Sequence, residues 1–181
     1  MEVKNISVDD AWKKILSLGR CVIEELIVQV GELSKFHPTS INSVRIATYN
    51  NNGNVDVLFS GIRMGRGNAV VDNAGNGGIF ASIDVETGIV NSIGRTKNGK
   101  KFVKHPDSLI NIIGFEIPEW ASLCNTVKET ANLLKEHQLI GWDFALSDKG
   151  WVMIEANAES EFGIRQICLG GFRKDAEKYI K

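Results

Sequence analysis

Apolar positions recur at two spacings along the chain, and the spacing predicts the elements. In SVDDAWKKILSL, Ala11, Ile15 and Leu18 fall at helical spacing. Ser7 in front of them suits an N-cap, Asp9 and Asp10 suit the first turn, and Gly19 suits the end, so a helix is expected. CVIEELIVQV, residues 21–30, is β-branched and mostly apolar, which predicts a buried strand interrupted by Glu24 and Glu25. SVRIATYN (43–50) and VDVLFSGIR (55–63) predict an antiparallel hairpin about the turn NNGN. Residues 64–78 are rich in glycine and asparagine and read as loop. GIFASID and GIVNSIG predict two more short strands joined by VETG, and TKNGKKFVKHPD reads as a solvated basic loop.

A second helix is expected behind Pro118 and Glu119, both suited to a first turn. Trp120, Leu123, Cys124, Val127, Ala131 and Leu134 carry its apolar face to about residue 137. A last hairpin follows at 142–157, then a polar stretch and a short helix from about Lys174. Strand runs with few helices predict one α+β domain over residues 1–181, a largely antiparallel sheet with helices packed on one side.

The last hairpin, within GWDFALSDKGWVMIEANAES, carries the candidate chemistry. With Asp148, Lys149 and Gly150 as the loop, Ser147 faces Trp151 and Asp143 faces Glu155. Alternation then places Trp142, Phe144, Leu146, Val152, Ile154 and Ala156 on one face. Asp143, Ala145, Ser147, Trp151, Met153, Glu155 and Asn157 share the other. Like charges directly opposed across a strand pair destabilise it. A shared proton, a neighbouring Lys or Arg, or a divalent cation would offset that, and Asn157 adds a neutral oxygen of the kind Mg²⁺ accepts. A solvent-facing strand pair with incidental acids is the other reading.

Composition narrows the class. The 181 residues carry 21 basic and 22 acidic side chains, net charge −1, with no basic stripe to support nucleic-acid binding. Cys21, Cys124 and Cys168 lie far apart without zinc spacing, which suits buried thiols in a reducing compartment. No apolar run resembles a signal peptide or a membrane span, so a cytoplasmic setting is expected. His37, His105 and His137 are scattered, and none is assigned to catalysis.

Taken together, these stretches resemble the ATP-grasp ligases, from about residue 20 to 165 and in that family's order. IEANA, with its Glu-x-Asn triplet behind a strand bearing Asp, is similar to the family's Mg²⁺ site. VIEELIV is similar to its hinge strand, and NSVRIATYN through GIRMGRGNAVVDNAGNGG to the segment with two arginines and an Asn before Gly-Gly. The subgroup most similar is the one related to α-L-glutamate ligases and associated with sugar transfer.

The resemblance implies roles. Asp143, Glu155 and Asn157 would hold Mg²⁺ on ATP phosphates. Glu24, Glu25, Leu26 and Ile27 would lie along adenine, and Gln29 near ribose. Arg45 and Arg63 would neutralise phosphate or an acyl phosphate, a task suited to the planar guanidinium. Asn73 and Gly77-Gly78 would edge the acceptor side. Without the family, Arg45 could pair with an acid on a neighbouring strand, and Trp151 and Met153 could line an adenine pocket or simply pack under a helix.

The family's first lobe supplies phosphate-binding lysines, and only about twenty residues precede the hinge here. The sequence therefore reads as a C-terminal lobe with its N-terminal lobe missing: a fragment, a split subunit whose partner supplies the other lobe, or a degenerate domain. Weak nucleotide binding and inefficient catalysis alone are expected. Where the family has a Pro-Gly turn after the Asn, Glu159 and Glu161 stand instead, which favours a cationic or amine-bearing acceptor. The expected activity is ATP-dependent carboxylate–amine ligation. A non-catalytic binding domain and a metal-dependent hydrolase are the alternatives. An exposed apolar hinge would also favour a homo-oligomer.

Overall fold

The computed structural model describes residues 6–68, 77–158 and 160–179. Among them, seven strands form one sheet: β1 (Ser43–Asn51), β2 (Asn54–Met64), β3 (Ile79–Ile83), β4 (Gly94–Arg95), β5 (Lys101–Phe102), β6 (Leu139–Ser147) and β7 (Gly150–Asn157). Their order is β5-β4-β3-β2-β1-β6-β7, and every pairing is antiparallel. With helices α1 (Val8–Ser17), α2 (Gly31–Ser34), α3 (Trp120–Leu133), α4 (Gly163–Leu169) and α5 (Arg173–Ala176), this is the expected α+β architecture. No helix among the described residues is long and apolar enough to cross a membrane.

Local chemistry explains the well-predicted elements. Ser7 caps α1 by accepting from Asp10 N at 3.1 Å. The β1–β2 hairpin turns on Asn52 (φ 52°) and Gly53 (φ 99°), the doubly positive pair whose twist matches flanking strands. One face of the sheet presents Val44, Ile46, Ile62, Met64, Ile79, Ala81, Trp142 and Phe144 to Trp120, Leu123, Val127 and Ala131 of α3. Trp142 is fully buried there, and its indole N–H donates to Thr48 Oγ1 at 2.8 Å. Gly88 (φ 74°) packs under Trp120 so closely that a Cβ would fall 2.4 Å from the indole Cγ.

Several expectations are corrected. Residues 21–28 are not a buried strand. They lie outside the sheet with no regular secondary structure, and Val22 and Leu26 are more than 80% exposed. The segment joins β6 only at its end, through a Gln29–Ser147 bridge and Val30 N–H to Leu146 O at 3.3 Å. The run stays out of the ladder although β7, the terminal strand, leaves its outer edge unpaired among the described strands, and a cleft separates the two. GIVNSIG is likewise no continuous strand. It makes isolated bridges Ile83–Val90 and Ile89–Glu116, and only Gly94 enters the sheet. The basic loop is partly ordered as β5, and its His105 is fully buried. α3 starts at Trp120, because Glu119 adopts a left-handed φ of 51°.

The last hairpin is corrected in register and then restored. Ser147 pairs with Gly150, Leu146 with Trp151, and Phe144 with Met153, one residue off the expected pairing. A bulge between Asp143 and Phe144 absorbs the extra residue, Ile154, and brings Asp143 opposite Glu155 as expected. Cross-strand partners share a face, so Trp151 and Met153 leave the acid-bearing face. Trp151 packs against the core instead.

Candidate functional site

Glu155, Asp143 and Arg45 stand in register across β7, β6 and β1, on the face turned away from α3. Arg63 reaches the same point from β2. Arg45 donates from Nε to Asp143 Oδ1 at 2.5 Å and from Nη2 to Oδ2 at 2.6 Å. Arg63 Nη1 donates to Oδ2 at 3.0 Å. The Arg45–Asp143 pair is the two-pronged geometry in which guanidinium and carboxylate bind most strongly. Asp143 is 2% exposed.

The charge that offsets the opposed acids is therefore arginine. Arg45 Nη2 also lies 3.8 Å from Glu155 Oε1. Burial alone would raise the Asp143 pKa, but hydrogen bonds and charge from Arg45, with charge from Arg63, hold it below the ordinary carboxylate value. Burial likewise opposes charge on Arg45, and Asp143 and Glu155 outweigh it, so its pKa is raised.

Glu155 is more exposed, and Asn157 Nδ2 donates to its Oε1 at 3.0 Å. A carboxylate has about four lone-pair sites. Asp143 spends three on the arginines, which leaves one beside Glu155 and the Asn157 amide oxygen. No cluster of three or more His, Cys, Asp or Glu side chains among the described residues is placed to hold a metal. Mg²⁺ does not need one: it keeps several waters and takes one or two carboxylates with substrate phosphate. Glu155 and Asn157 fit that role, with Asp143 able to contribute a single lone pair.

A surface cleft of about 420 Å³ lies next to this cluster. Glu24, Glu25, Leu26, Ile27 and Val28 form one wall; Val152, Met153 and Ile154, leading directly to Glu155, form the other. The structure thus brings four of the expected adenine-side residues to one cleft. Gln29 is not in its lining. Gln29 Oε1 accepts from Asn42 N at 2.5 Å and Gln29 Nε2 donates to Ser40 O at 3.1 Å, so the side chain ties the segment to the start of β1. Asn73 lies outside the described residues.

The sequence reading missed the groups that hold the chain where it leaves β2. His105 Nε2 bonds Gly65 O at 2.7 Å and His37 Nε2 bonds Gly67 O at 2.9 Å. Asp107 accepts from Gly67 N at 2.6 Å, and Arg66 Nε donates to Gly77 O at 2.6 Å. Both histidines precede a proline, a turn signal that marks a fixed backbone but not its partner.

No curated protein and no solved structure matches the chain. A family model described as sugar-transfer associated ATP-grasp matches residues 13–178. That match runs through both walls of the cleft and all of the carboxylate–arginine cluster, and by it the chain belongs to the sugar-transfer associated ATP-grasp family.

Proposed function

We propose that this domain binds ATP with Mg²⁺ and serves an ATP-dependent carboxylate–amine ligase that works through an acyl phosphate. The observation that carries the reading is the continuity between cleft and cluster. The wall Val152–Ile154 runs into Glu155, so a base held along Glu24–Ile27 sends its phosphates toward Glu155, Asn157 and the two arginines. Mg²⁺ there would neutralise phosphate charge. Arg45 and Arg63, fixed by Asp143, would stabilise charge as the γ-phosphoryl group passes to a carboxylate oxygen and ADP leaves. An amine then displaces phosphate.

A second reading, a non-catalytic nucleotide-binding domain, draws support from the commitment of both arginines to Asp143. Trapping separates the two. The full chain is incubated with ATP, Mg²⁺, hydroxylamine and a panel of amino acids and dicarboxylic acids. The ligase reading expects ADP and hydroxamate in equal amounts with one member of the panel. Turnover should be slow, because Lys149 is the one lysine lining the cleft among the described residues. Nucleotide binding without ADP release across the panel supports the second reading.

A further inference from the structure

No residue of α1 is buried, although the helix carries an apolar stripe. Val8, Trp12 and Leu16 are 85%, 57% and 63% exposed, Leu18 just beyond them is 64% exposed, and Ala11 and Ile15 are half-buried. At about 100° per residue, all six fall on one side of the helix. Charged residues border the stripe. Asp9 and Lys13 lie beyond Leu16 on one flank, and Asp10 and Lys14 lie beyond Leu18 on the other.

The order of those charges says what can cover the stripe. Two acids and two bases leave the flanks neutral together, whereas helices that lie on lipid surfaces are rich in Lys and Arg on the polar face. Each flank has its acid toward the N-terminus and its base toward the C-terminus. When two copies of such a helix pack antiparallel about a two-fold axis, each flank meets the same flank of the partner running the other way. Asp9 then meets Lys13 and Asp10 meets Lys14, each contact made twice. In the register midway between those contacts, Val8 stands across from Ile15 and the Trp12 indole across from small Ala11. Both charge contacts lie within about 1.5 Å of level there. The opposed helix dipoles add to the attraction. A parallel pair would set one flank against the other, with Asp9 against Asp10 and Lys13 against Lys14, which repels. Within one copy, Lys13 Nζ is 3.9 Å from Asp10 Oδ1 with both side chains more than half exposed, a contact that contributes little and can be exchanged.

We propose that a second copy of this chain covers the stripe, the two α1 helices packing as an antiparallel, two-fold pair. The pair would also anchor the start of the cleft wall Glu24–Val28, whose far end Gln29 already ties to β1. The pairing does not depend on what the cleft binds. An interface built on ten-residue helices is small, so a dissociation constant on the order of 10–100 μM is expected.

The test is sedimentation equilibrium of the full chain over a range of concentrations, for wild type and two charge variants. Asp9→Lys with Asp10→Lys makes both flanks basic, and Lys13→Glu with Lys14→Glu makes both acidic. Each variant alone should dimerise at least tenfold more weakly than wild type. An equal mixture of the two should dimerise at least as tightly as wild type, because every flank contact is then an opposite pair. A wild type that is monomeric at about 1 mM overturns the proposal and leaves the stripe to a different polypeptide. A wild-type dimer that neither variant weakens, or weakened variants that do not associate when mixed, overturn it as well. Thermal melts check folding, which these exposed positions should leave intact. If a charge variant is unfolded, Trp12→Ala decides, with at least a tenfold rise in the dimer dissociation constant required.

Discussion

Replacing Asp143 by alanine should destabilise the fold by about 3–5 kcal/mol, the range for breaking a buried charge pair by removing one partner. Two guanidiniums, with side chains 11% and 12% exposed, would lose a shared carboxylate. For a chain of this size that corresponds to a fall of roughly 6–20 °C in melting temperature. The triple variant Asp143→Ala, Arg45→Met, Arg63→Met should recover much of the loss, because apolar replacement of a whole buried ionic group is often neutral. Acid should act the same way. The Asp143 carboxyl is depressed in the fold, so its contribution is complete above the unfolded value of about 3.9 and is lost as pH falls through the lower folded value. Chemical denaturation of wild type and Asp143→Ala at neutral pH and at roughly pH 2 checks both claims. A neutral-pH loss under about 1 kcal/mol would show that the arginines do not depend on Asp143.

Trp142→Ala should cost about as much, 3–5 kcal/mol, for a different reason. Trp142 is fully buried beneath α3 between Ile46 on β1 and Ala156 on β7, so its removal leaves a cavity that rigid sheet neighbours cannot close. It also strips Thr48 Oγ1 of its donor. Thr48→Val alone should cost about 1–3 kcal/mol by leaving the indole N–H unpaired. In Trp142→Ala the same Thr48→Val change should be nearly free, a non-additivity that equilibrium unfolding of the double variant would measure. Additive costs would mean that the indole–hydroxyl bond contributes nothing.

The legible parts of the chain were those decided locally. The Asn52-Gly53 turn, the Ser7 cap and the α3 stripe each follow from a few adjacent residues, and all stand in the structure. The Asp143–Glu155 pairing was legible for a subtler reason. The turn register was off by one, and the bulge at Ile154 cancelled the error. That an arginine could offset the acids was legible, but which one was not, because Arg45 and Asp143 are 98 residues apart and meet only when β6 inserts beside β1. Nothing in either strand's own pattern states that neighbour. The segment 21–28 failed for the opposite reason: its pattern is that of a strand, but it meets the sheet only through the Gln29–Ser147 bridge at its end. Arg95 falls between the GIVNSIG and TKNGKKFVKHPD stretches, and only the sheet register places it on the face of Arg63, with Phe80 between them.

The central claim is that the cleft and the cluster form one nucleotide site in which Glu155 and Asn157 serve Mg²⁺. The direct measurement is calorimetric titration of the full chain with a non-hydrolysable ATP analogue, with and without Mg²⁺, for wild type and for Glu155→Gln with Asn157→Leu. The account predicts that Mg²⁺ strengthens binding to wild type about tenfold or more, and that the double variant loses this enhancement while binding adenosine as before. Equal affinity with and without Mg²⁺ in wild type, or an enhancement that survives in the double variant, would contradict it.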